Sequence, residues 1–141
     1  MMRKSVWAGM AAAVLLAGCA STGVYESDSV LKQSFNVATN YEAAFRRAGE
    51  YVRACHQNVQ HPYGAAYAWR HSEGKEGAPN EIQVYKVGEP AKVLELIATE
   101  ADGPATSKVT VTVLNEGRWD AAEIEAARRS IQTATPVCRG S

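Results

Sequence analysis

The sequence predicts an α+β domain, a two-layer sandwich with two helices on one face of an antiparallel four-stranded meander. The order is (β)αββββα, with room for a fifth strand at the edge. Three observations lead there. Four short apolar-alternating segments follow one another with only Gly- and Pro-bearing turns between them, and short connections force antiparallel neighbours. A capped amphipathic pattern stands on each side of that block. Cys55 and Cys138 fall at the ends of those two helical patterns, so a bridge between them would put both helices on the same face.

The elements follow in chain order. Residues 31–37 read as a short edge strand. Thr39 and Glu42 have capping-box spacing, which makes Thr39 the expected N-cap of the first helix. Tyr41, Phe45, Ala48, Val52 and Cys55 then recur every three or four residues as its buried stripe, with Glu42, Arg46, Arg47, Glu50 and Arg53 on the remainder. The strands are expected at 65–71, 81–87, 92–100 and 107–114, separated by the loop 72–80, Gly88-Glu89-Pro90 and Asp102-Gly103-Pro104. Val109, Val111 and Val113 against Lys108, Thr110 and Thr112 form the cleanest period-two pattern. Asp120 with Glu123 repeats the capping-box spacing, Trp119 with Ile124 forms a hydrophobic staple, and Ile124, Ala127, Ile131 and Ala134 carry the second helix's buried stripe up to Pro136.

The N-terminus is an export signal. Arg3 and Lys4 precede an apolar run of twelve residues, 6–17, and small residues then lead into Cys19. A helix of that length spans roughly 18 Å, well short of the ~30 Å hydrocarbon core, which disfavours a permanent span. Leu16-Ala17-Gly18-Cys19 resembles the lipobox of bacterial lipoproteins. The resemblance implies removal of residues 1–18, a diacylglycerol thioether on Cys19 and an acylated amino group, hence a stable membrane anchor through its acyl chains. Ala20 rather than an aspartate follows the cysteine, which by the same resemblance implies the outer membrane, on its periplasmic face. Residues 19–36 are expected as lipidated cysteine and tether, with 20–29 as a flexible spacer, and 37–141 as a single domain.

With Cys19 assigned to lipid, Cys55 and Cys138 form an even pair in an oxidising compartment, where a disulfide is expected. Two buried free thiols are the alternative. A redox-active pair lacks the C-x-x-C spacing and the flanking basic cluster that lower a thiol pKa.

The catalytic motifs are missing from the sequence. His56, His61 and His71 lack zinc-site spacing, so no metal is expected. No serine lies in a G-x-S-x-G elbow, the carboxylates are dispersed among Lys and Arg, and the glycines of 72–80 do not join a strand to a helix. No cofactor and no enzymatic activity are therefore expected. The mature chain carries 13 basic against 15 acidic residues, a formal net of −2, with no basic footprint for nucleic acid.

Interaction surfaces remain as candidates. Arg46 and Arg53 lie on the polar side of the first helix. Tyr67 and Trp69 form with Tyr63, Tyr85 and Trp119 an aromatic set that serves either as an exposed platform or as filling between sheet and helices. Glu95, between Val93 and Ile97, marks its sheet face as partly wet. The run FNVATNYEAAFRRAGEYVRAC, with a lone cysteine near the C-terminus and a lipobox upstream, resembles a group of small uncharacterised proteobacterial lipoproteins. That likeness covers the first helix and the two cysteines, and implies a lipid-anchored α+β domain without catalytic residues. The same run is similar to the F-x-V…Y-x-x-A opening of helix-grip modules in outer-membrane assembly lipoproteins. This chain has one domain and no long tandem, so that function does not carry over. The expectation is a non-enzymatic envelope module that contacts another envelope protein; the rival is a small-ligand or lipid carrier with a cavity between sheet and helices.

Overall fold

The structure, a computed structural model, describes residues 23–75 and 77–140. The expected signal and lipobox, with Cys19, lie outside them. Five strands, β1 (Leu31–Val37), β2 (Tyr67–Ser72), β3 (Asn80–Lys86), β4 (Val93–Ala101) and β5 (Ser107–Val113), form one antiparallel sheet in the order β1-β5-β4-β3-β2. Two helices, α1 (Tyr41–Val52) and α2 (Ala121–Thr133), pack on one of its faces. The predicted α+β sandwich, its meander and its edge strand are therefore all present, with strand bounds within two residues of those read from the sequence.

Strand alternation sets the two faces. Ile82 and Val84 of β3, Val93 and Ile97 of β4, and Val109, Val111 and Val113 of β5 all point to the helices and are buried. Ala44, Ala48 and Val52 of α1 and Ile124, Ala127 and Ile131 of α2 close the core from the other side. Each of these larger aliphatic side chains contributes about 1.5–3 kcal/mol by leaving water.

Several local expectations are corrected. Asn40, not Thr39, caps α1: its Oδ1 accepts the Ala43 N–H at 2.8 Å, as an N-cap side chain does for the third helical amide. Tyr41 is exposed and Phe45 only half-buried, because the buried stripe is rotated toward Ala44, Ala48 and Tyr51. Asp120 caps α2 as expected, but Glu123 does not reach back to complete a capping box; its carboxylate is drawn inward. Ala134 is not on the stripe; it terminates α2 with φ 62°.

The tether expected over 20–36 is, from residue 23 onward, part of the domain. β1 pairs with β5 along its whole length, Leu31↔Val113 through Val37↔Ser107. Before it, Val24 is buried and its N–H bonds Val93 O at 2.9 Å, while Tyr25 Oη accepts from Gln83 Nε2 at 2.7 Å. Apolar outer-face residues such as Leu94 and Leu96 give this segment something to cover, which is why it does not stay solvated.

Candidate functional site

The first helix does not end as an α-helix. From Arg53 to Gln57 it is π-helical, with the Asn58 N–H bonding Arg53 O at 2.9 Å. An i→i+5 repeat brings residue 56 onto the side of residue 51, and such segments often mark functional positions. Tyr51 Oη accordingly lies 3.2 Å from His56 Nε2, both side chains fully buried. The same segment points Cys55 at Cys138, and the two form a disulfide. The other half of that bridge is placed by Ser130, whose Oγ donates to Ala126 O and accepts the Val137 N–H, each at 2.8 Å, folding the tail back over α2.

Two carboxylates converge on Tyr51 and His56. Glu95 comes from the inward face of β4, and Glu123 from the first turn of α2. His56 Nε2 is 2.7 Å from Glu123 Oε1 and 3.3 Å from Glu95 Oε2. The Tyr51 hydroxyl donates to Glu95, at 3.2 Å to Oε1, and to Glu123. The guanidinium of Arg118 stands 3.7 Å from Glu123 Oε2 at the rim. A tight loop, with Asn115 N–H to Trp119 O at 2.7 Å and Trp119 N–H to Glu116 O at 2.9 Å, holds Arg118 and Trp119 there. Over the cluster, Trp119 meets His56 at 5.0 Å and Tyr67 at 5.2 Å between ring centroids, and Tyr67 meets His61 at 4.9 Å.

The electrostatics follow from that enclosure. Burial works against the His56 charge, but its hydrogen bonds to Glu123 and Glu95 and the charges of both outweigh it, raising its pKa to about 9. Glu95, the most enclosed, is lifted by burial to about 7 against the pull of His56. Glu123 is held below the ordinary value: burial raises it, but bonds to His56 and Tyr51 and the nearby Arg118 prevail. Burial and both carboxylates push the Tyr51 hydroxyl well up. His61 is lowered, by burial first and then by Arg118, whose Nη1–H donates to its Nδ1 at 2.7 Å.

His56, Glu95 and Glu123 are each no more than 1 % exposed. Among the described residues these three offer ligand atoms within 4.8 Å of one another, a donor set that zinc or a similar ion accepts. In the structure the same groups are joined to one another by hydrogen bonds, and the arrangement is a buried charge cluster that links α1, β4 and α2.

The residues singled out from sequence fall as follows. Cys55 and Cys138 are bridged; Cys19 lies outside the described residues. Arg46 and Arg53 are both exposed on the first helix and its π-helical end. Tyr67 and Trp69 do not form an outer platform. They are half-buried on the helix side of the sheet, because β2 pairs Trp69 with inward-facing Val84. Arg53 lies over the Trp69 ring at 5.8 Å, and Trp69 Nε1–H donates to Gln57 Oε1 at 2.8 Å. The reading of Glu95 as a sign of a wet face is overturned: it is fully buried and bonded to Tyr51 and His56. Tyr51 and Arg118 were not singled out, while His56 was weighed only as a zinc ligand and Glu123 only as a capping residue, although both lie beside recognisably buried positions, Cys55 and Ile124.

No protein-family model, no curated protein and no solved structure matches this chain.

Proposed function

We propose that this chain is a lipid-anchored, periplasm-facing module of the bacterial envelope, at the outer membrane, that works through protein contacts and not through catalysis. The observation that carries this reading is the Cys55–Cys138 disulfide. It suits an oxidising compartment, and it leaves Cys19, inside Leu16-Ala17-Gly18-Cys19, as the one cysteine of three not in the bridge. Among the described residues no helix is long and apolar enough to cross a membrane, so attachment through Cys19 supplies what the domain does not.

The interior favours an interaction module over a carrier. Val52, Ile97, Val111 and Ile131 are fully buried between sheet and helices, and the charge cluster fills the remaining end of that space. Arg46 and Arg53 supply the partner strip, with the Trp69 ring beneath Arg53. The test has two parts. Wild-type protein should incorporate radioactive palmitate and Cys19→Ser should not; labelling of both, or of neither, rejects the anchor. Crosslinking in intact cells should then recover one envelope protein with the wild type, and severalfold less of it with Arg46→Glu/Arg53→Glu. Equal recovery rejects the strip.

A further inference from the structure

Resting on the lipidated Cys19 of the preceding section, we propose that one end of the sandwich lies on the bilayer itself: the end formed by the β3–β4 turn, the loop before β2 and the β5–α2 loop. Its occupant is the phospholipid headgroup layer of the membrane that holds the anchor. The chain dictates this placement. Gly23 is packed so tightly on the Lys92–Val93 peptide that a Cβ there would lie 2.6 Å from Val93 N. Its carbonyl accepts the N–H groups of Glu26 and Ser27 at 3.2 and 3.1 Å, and Val24 is tied to Val93 O. The fold is therefore fixed from residue 23 onward. Only Ala20, Ser21 and Thr22 separate it from the acylated cysteine. Fully extended, that span covers at most roughly 14 Å between the Cα atoms of Cys19 and Gly23, against roughly 5–8 Å of headgroup region on each side of the hydrocarbon core. The start of β4 is thus held within roughly 10 Å of the headgroups, whereas the far end of that nine-residue strand stands roughly 25–30 Å further along it.

The side chains at the near end suit that environment. An open depression of about 530 Å³ is lined by Tyr63, Trp119, Lys86, Lys92, Glu89 and Glu116, with Lys92 paired to Glu116 at 3.5 Å and Lys86 left to face the headgroups. Tyr63 is 93 % exposed and Val87, next to Lys86, is 57 % exposed. Val87 is anchored by its N–H to Ala66 O at 2.9 Å, so the turn and the loop before β2 form one rim. A bare tyrosine ring and an aliphatic tip are unfavourable in water and favourable at the headgroup level, where lysine ammonium groups reach phosphates while their stems stay apolar.

The experiment uses the full-length protein in intact cells, with p-benzoylphenylalanine in place of Tyr63, of Val87, or, at the opposite end, of Ala105 in the β4–β5 turn. All three positions are exposed, so the fold tolerates the probe, and retention of the disulfide on a non-reducing gel verifies it. Each variant is first shown to incorporate palmitate, then irradiated, and phospholipid adducts are measured by mass spectrometry. The expected result is severalfold more phospholipid adduct at 63 and 87 than at 105. Palmitate incorporation with equal adducts at all three positions, with more at 105, or with protein adducts replacing lipid at 63, overturns the orientation while leaving the anchor intact. Absence of palmitate removes the anchor and the orientation with it, and the two failures are thereby told apart.

Discussion

His56 Nε2 lies 2.7 Å from Glu123 Oε1, so a charge-assisted hydrogen bond joins the last turn of the first helix to the first turn of the second. Cys55, the neighbour of His56, is bonded to Cys138, on the tail that folds back over α2 until Arg139 reaches the N-cap Asp120 at 2.6 Å. The end of the first helix is thus fastened both to the second helix and to the tail behind it, and Glu95 ties the same point to the middle of the sheet.

The His56 interaction makes stability fall in alkali. Its folded pKa, about 9, is above the unfolded 6.5, so its contribution is complete below about pH 6.5 and lost as pH rises through 9. A shift of that size corresponds to about 3 kcal/mol. Thermal melting should drop steeply between pH 7 and pH 9.5 in the wild type. His56→Ala, which strands two buried carboxylates, should be less stable by about 3–5 kcal/mol at neutral pH and lack that alkaline step. A wild-type midpoint that stays level over this range would show that His56 is not protonated in the folded protein.

Glu95 acts in the same direction at lower pH. Its folded pKa of about 7 exceeds the unfolded 4.5, so its protonated form is favoured by folding and that gain is lost as pH climbs from about 4.5 through 7. Glu95→Gln keeps the shape and removes the titration. Urea titrations should give a flatter stability profile across this window for the variant, and the variant should be the more stable of the two near pH 8. An unchanged profile for Glu95→Gln would mean that Glu95 remains ionised throughout.

The disulfide closes a loop with a sequence separation of 83 residues. Its removal by Cys55→Ser/Cys138→Ser should lower stability by about 2–5 kcal/mol. Because the cluster beside it does not depend on the sulfurs, the double variant should keep the alkaline step described for His56. Thiol labelling of the denatured, unreduced mature protein should find no free sulfhydryl; labelling at both cysteines would contradict the bridge.

Zinc offers a direct check on the charge cluster. Added at a severalfold excess at pH 7.5, it should leave the melting midpoint of the metal-stripped protein unchanged, since binding to the native state alone would raise it. A zinc-dependent rise that disappears in Glu123→Gln would show that the three residues are ligands after all.

The architecture was legible because it rests on periodicities. Val109, Val111 and Val113 declared β5, and Asp120 with Trp119 and Ile124 declared the start of α2, since each signal sits within a few residues of its effect. The cluster was not legible for the opposite reason. Its members come from positions 51, 56, 95 and 123, and a carboxylate flanked by apolar residues reads as solvated until its distant partners are in place. Glu95 had the right strand parity and the wrong assumed neighbour. Glu123 looked like a capping residue because spacing alone cannot tell whether a side chain turns toward the backbone or into the core. The segment 23–30 was hidden by composition: its polar residues resemble a linker, while Gly23, Val24, Tyr25 and Val30 carry its contacts with the fold.

The Cys55–Cys138 bond makes a covalent ring of the chain between those residues, and β2, β3, β4, β5 and α2 all lie within it. β1 and α1 lie outside. A force applied from the N-terminal side would peel β1 from β5 and then unwind α1, and it would stop at residue 55, where the load passes into the ring. The domain is in this sense a fuse of fixed length: stretched, it releases about thirty residues, and the chain beyond residue 55 stays a closed covalent ring.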